Sequence, residues 1–153
     1  MGTSTFTGPI RAGNILNTSG ITPGVDVGNV GQVVMAQVAA IAETATALFT
    51  TISIPAYSQI LSIEIRSTVS FSTPLSIGNT YDGTTVNDAT YFTNTTPVAA
   101  GITTYSTSTS GQDDNWINSG YPDSQIVVSG GTPGGGGLGV LTITYLQGPN
   151  GNT

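Results

Sequence analysis

The chain has 153 residues, of which 37% are hydrophobic and 7% charged, with a formal net charge of −6. One domain is expected at this length, and a chain this apolar and this sparsely charged is expected to fold rather than stay disordered. Arg11 and Arg66 are its only cations, which argues against nucleic acid and anionic membranes, where phosphate neutralisation supplies affinity.

The first 30 residues, "MGTSTFTGPIRAGNILNTSGITPGVDVGNV", keep no helical or strand period. They show no basic and apolar leader, so no signal peptide is expected. Phe6, Ile10, Ile15 and Ile21 recur among Gly, Pro, Asn and Thr, which reads as an extended arm, either a frayed end or a strap along a neighbouring subunit. "QVVMAQVAAIA", Gln32 to Ala42, suits helix by its alanines and strand by Val33, Val34, Val38 and Ile41; poor capping at Gly31 favours strand. In "ALFTTISIP", Leu48, Thr50, Ile52 and Ile54 share one face, and Pro55 opens the turn "PAYSQ".

The longest alternation is "QILSIEIRSTVSF", Gln59 to Phe71. It places Leu61, Ile63, Ile65, Val69 and Phe71 on a buried face and Ser62, Glu64, Arg66, Thr68 and Ser70 on a wet one. Glu64 and Arg66 are then exposed neighbours, read more simply as a solvated strand face than as a binding pair. "PLSIGNT" and "ATYFTN" flank "YDGTTVND", whose Asp82-Gly83 marks a turn. "GITTYSTSTS" is a further strand, "GQDDNWINSGYPDS" a loop, and "QIVVS" and "VLTITYL" a closing pair. Short strands at near-regular spacing predict an all-β fold: an antiparallel β-sandwich, jelly-roll-like, with residues 1–30 as an extended N-terminal arm, 31–148 as the sandwich and 149–153 as a short tail.

Chemistry finds little support. The chain lacks histidine, cysteine and lysine. That removes the commonest general base, every thiolate and the lysine of a phosphate loop. Six of the eight residues from Gly130 to Gly137 are glycine, but they run into a strand, not a helix. The segment therefore reads as a hairpin joining "QIVVS" to "VLTITYL", either loose or allowing close approach of another backbone. Asp113, Asp114 and Asp123 could offer oxygens to calcium, but lack the spacing of an EF loop, and solvated carboxylates are the plainer reading. Trp116 and Tyr121 could stack on a sugar; a buried loop anchor is the commoner role of a lone tryptophan. No enzyme activity, cofactor or metal is expected.

Several segments together resemble a known group: "FTTISIPAYSQILSIEIRSTVSFSTPLSIGNTYDGTTVNDATYF", "GYPDSQIVVSGGTPGGGGLGVLTITYL" and the opening "STFTGPIRAG". They are similar to small β-sandwich virion proteins of tailed bacteriophages, of the marine and cyanobacterial type. The resemblance implies a capsid decoration (cement) protein on the virion surface, assembled in the host cytoplasm. It further implies a homotrimer bound to the major capsid protein, with Phe6, Ile10, Arg11 and Ile15 as arm contacts. The alternative it leaves open is a head or tail fibre, or a carbohydrate-binding module using Asp113, Asp114, Trp116 and Tyr121.

Overall fold

A computed structural model describes residues 34–44, 46–105, 113–117, 119–120, 122–132 and 134–146. The arm 1–30 and the tail 149–153 lie outside the described residues. Eight strands are present among the described residues: β1 (Val34–Ala42), β2 (Leu48–Ile54), β3 (Gln59–Val69), β4 (Leu75–Thr80), β5 (Asp88–Thr96), β6 (Gly101–Tyr105), β7 (Ser124–Ser129) and β8 (Leu138–Leu146). Among the described residues a short helix, α1 (Asp113–Ile117), interrupts the segment expected to be loop.

The strands form two four-stranded antiparallel sheets. Sheet A has the order β1-β8-β3-β6 and sheet B the order β2-β7-β4-β5. Successive strands change sheet except at β4 and β5, which is the winding of a jelly roll. The all-β sandwich is thus present, but the last connection differs from expectation. β7 belongs to sheet B and β8 to sheet A, so residues 130–137 cross between layers and are not a hairpin. β1 and β8 pair in full register from Val34 opposite Leu146 to Ala42 opposite Leu138.

Between the sheets, Ile41, Ile52, Ile54, Ile63, Ile65, Leu75, Ile77, Phe92, Ile126, Leu141 and Ile143 form the core. Alternation explains most of it: in β2, Thr50, Ile52 and Ile54 are buried while Thr51 and Ser53 are exposed. In β3 the alternation slips. The register shifts between Ile60 and Ser62, so Leu61 stands unpaired in a bulge. Ile60 then turns inward and Leu61 is exposed, while Ile63 and Ile65 remain in the core as expected. Ser67 is buried in phase with Ile63 and Ile65, and a second shift between Ser67 and Val69 turns Val69 outward.

Side chains close the places where ladders stop. β1 and β2 are the edge strands on one long side of the sandwich. Gln37 of β1 bridges them: its Nε2 donates to the Ser53 carbonyl at 2.6 Å, and its Oε1 accepts from the Ser53 N–H at 3.0 Å. The amide thereby supplies both halves of a peptide-like pairing to the open edge of β2. The same Nε2 also reaches the Tyr145 hydroxyl at 2.7 Å.

A larger irregularity lies in β5. Ile77 pairs with Thr93 but Asn79 with Asp88, so residues 89–92 bulge out against a single residue of β4. A Cβ at Gly78 would lie 2.1 Å from the Asp88 carbonyl oxygen and 2.7 Å from the Ala89 Cα, so the bulge packs directly on bare backbone. α1 completes it: Asn115 Nδ2 donates to the Tyr91 carbonyl at 2.6 Å and Trp116 Nε1 to the Phe92 carbonyl at 2.5 Å. Carbonyls released from the ladder thus regain donors.

Candidate functional site

The residues singled out from the sequence separate into three groups. Phe6, Ile10, Arg11, Ile15 and Tyr121 lie outside the described residues, as does the side chain of Asp113. Asp114 is exposed on α1. Trp116 is 5% exposed, with its indole N–H spent on Phe92, so its ring is the anchor of a loop and offers no stacking face. Asp123 accepts the Ala56 N–H at 2.8 Å, which fixes the turn after β2. Among the described residues no cluster of three or more metal-ligating side chains forms, and no helix is long and apolar enough to cross a membrane.

The glycine-rich crossing has a definite partner. The Glu43 carboxylate accepts the N–H groups of Ser72 at 3.1 Å, Thr132 at 3.4 Å and Gly137 at 3.1 Å, and the Ser72 hydroxyl donates to it as well. The amides therefore do surround an anion, and the anion is the chain's own carboxylate. These bonds, the Ser72 hydroxyl foremost, hold Glu43 below its ordinary pKa. Close approach requires the bare backbone: a Cβ at Gly131 would lie 2.0 Å from the Thr44 carbonyl oxygen. No sequence period pointed to Glu43, because the contact joins residues 89 and 94 positions apart.

The surface with the plainest capacity for contact is the outer face of sheet A. Residues of β1 that alternate with buried Ala39 and Ile41 are Val34, Ala36, Val38, Ala40 and Ala42, all exposed. Register extends this apolar edge across the sheet. Val38 lies beside Thr142, Glu64 and Thr104, and the next row is Ala40, Val140, Arg66 and Ile102. Beyond it, Ala42 neighbours Leu138 and then Val69. Val38 is 58% exposed, Ile102 61% and Leu138 49%, so the face is both apolar and open.

No protein-family model and no curated protein matches the chain. A solved structure does resemble it. A chain of the cyanophage Pam1 capsid asymmetric unit is similar at 13% identity and a TM-score of 0.43, covering 77% of this chain and 87% of that one. Glu64 and Arg66 are the only charges in the two central rows, and neither side chain has a hydrogen bond or ion pair among the described residues. Contact with an exposed apolar and hydroxyl-bearing sheet face costs little desolvation, which suits protein surfaces better than small ligands.

Proposed function

We propose that the protein is a capsid decoration (cement) protein of a tailed bacteriophage, a jelly-roll unit that binds the outside of the shell and stabilises it. The observation that carries this reading is the outer face of sheet A, broad and nearly uncharged. The sequence resemblance to phage virion proteins points the same way. Phe6, Ile10, Arg11 and Ile15 of the arm grip the major capsid protein, and three copies gather about a local symmetry axis, where several weak arms gain affinity through effective concentration. The work is adhesion, with neither a bond broken nor a cofactor required.

The test is addition of the purified chain to capsids that lack it. Cosedimentation with the shell, and a higher temperature of DNA release, are the expected results. A variant lacking residues 2–20 that keeps its circular dichroism should no longer sediment with capsids. Failure of the intact chain to bind any phage shell, with binding to glycans instead, would replace this reading by the receptor-binding one.

A further inference from the structure

We infer that the outer face of sheet A pairs with the same face of a second copy about a twofold axis. The inference rests on the reading of this face as a contact surface and names its occupant. Arg66 is the only cation among the described residues, and it stands beside Glu64 on β3 with one inward residue, Ile65, between them. An axis lying across the strands at the level of Ile65 brings Glu64 of each copy onto Arg66 of the other. Two ion pairs result from charges that have no partner within the described chain.

The neighbouring rows agree with the same operation. Val38 of one copy meets Ala40 of the other, Thr142 meets Val140, and Thr104 meets Ile102, so a larger side chain opposes a smaller one on β1 and β6 and near-isosteric ones meet on β8. One row further out, Ala36 meets Ala42, Thr144 meets Leu138 and Ser62 meets Val69. Aligned sheets pack face to face at ~10 Å, within reach of a glutamate and an arginine. From strand rise and spacing the face measures about 30 Å by 15–20 Å, roughly 500 Å² in plan, and side-chain relief raises it toward the ~800 Å² per partner of a standard interface. With the arm on the shell and sheet A on another copy, neighbouring attachment points are tied together.

The experiment is sedimentation velocity on the full chain without capsids, over a wide concentration range. The wild type should show a reversible species of twice the chain mass. Arg66→Glu and Glu64→Arg should each weaken pairing about 100-fold, because like charges then face each other. An equimolar mixture of the two variants should restore the dimer, since one copy then carries two acids and the other two bases. Val38→Asp should also yield monomers. A wild type that stays monomeric, or a mixture no better than its components, overturns the proposal. Removal of residues 1–33 that turns a monomer into a dimer overturns it too, by assigning the face to the chain's own N-terminal segment. If Arg66→Glu self-associates normally but no longer binds capsids, the shell is the occupant and only the decoration reading survives.

Discussion

Replacing Trp116 by phenylalanine tests the role assigned to α1. The substitution removes the donor to the Phe92 carbonyl, one of the groups released by the β5 bulge, and shortens a side chain that is 5% exposed. Leaving a buried carbonyl without its donor costs about 1–3 kcal/mol, and the void left by the smaller ring adds about 1 kcal/mol. A total of ~2–4 kcal/mol corresponds to a fall in Tm of roughly 4–16 °C for a chain of this size. Thermal and urea melts followed by far-ultraviolet circular dichroism measure it without needing tryptophan fluorescence. Asp114→Ala, on the exposed side of the same helix, should stay within about 0.5 kcal/mol of wild type. A Trp116→Phe protein that melts with the wild type would refute the anchoring argument. If such a protein also lost binding to a glycan, the indole would belong to a ligand face.

Other substitutions probe the crossing and the edge. Gly131→Ala should destabilise by about 1–3 kcal/mol, since its methyl group meets the Thr44 carbonyl, whereas Gly136→Ala, facing open space, should be neutral or stabilising by up to about 1 kcal/mol; paired urea melts separate them. Because hydrogen bonds lower the folded-state pKa of Glu43, its contribution is present above the ordinary value of 4.5 and lost as pH falls through the depressed one. Glu43→Gln should therefore flatten stability against pH below that value, as read by melts from neutral to acid. Asp82 retains a second acid-sensitive step, its carboxylate being held low by the Thr84 and Thr85 amides and the Thr80 hydroxyl. Gln37→Ala should cost about 1–2 kcal/mol and speed amide exchange at Ser53, measured by hydrogen–deuterium exchange.

The strands were legible wherever one face is buried and the other wet. Thr50, Ile52 and Ile54 fall inward as their spacing requires, and the valines of β1 outweigh its alanines because a sheet gives them a neighbour on each face. Leu61 and Ile60 were not legible, because both are apolar and only pairing with β8 decides which one enters the core. Nor could "QIVVS" and "VLTITYL" be assigned to different layers, for proximity in sequence predicts a hairpin and only the completed winding separates them. The apolar outward row of β1 was not legible as a contact face, because its run of valine and alanine lacks alternation and does not say which side is buried. Its extension through Val140 and Ile102 depends on partners far apart in the chain. The Phe92 carbonyl that Trp116 serves was not legible either, because it is released only once β5 has bulged.

Val34 and Leu146 face each other at one end of the β1–β8 ladder, so the described sandwich is entered and left at a single corner. A peptide linker across that corner would splice the two ends without disturbing a layer, and new termini could be cut into an exposed turn such as the one at Asp82-Gly83. The same corner sets how the molecule yields to force. Opposed tension on its two ends strains the ladder's bonds one after another, as in opening a zip, beginning at that corner.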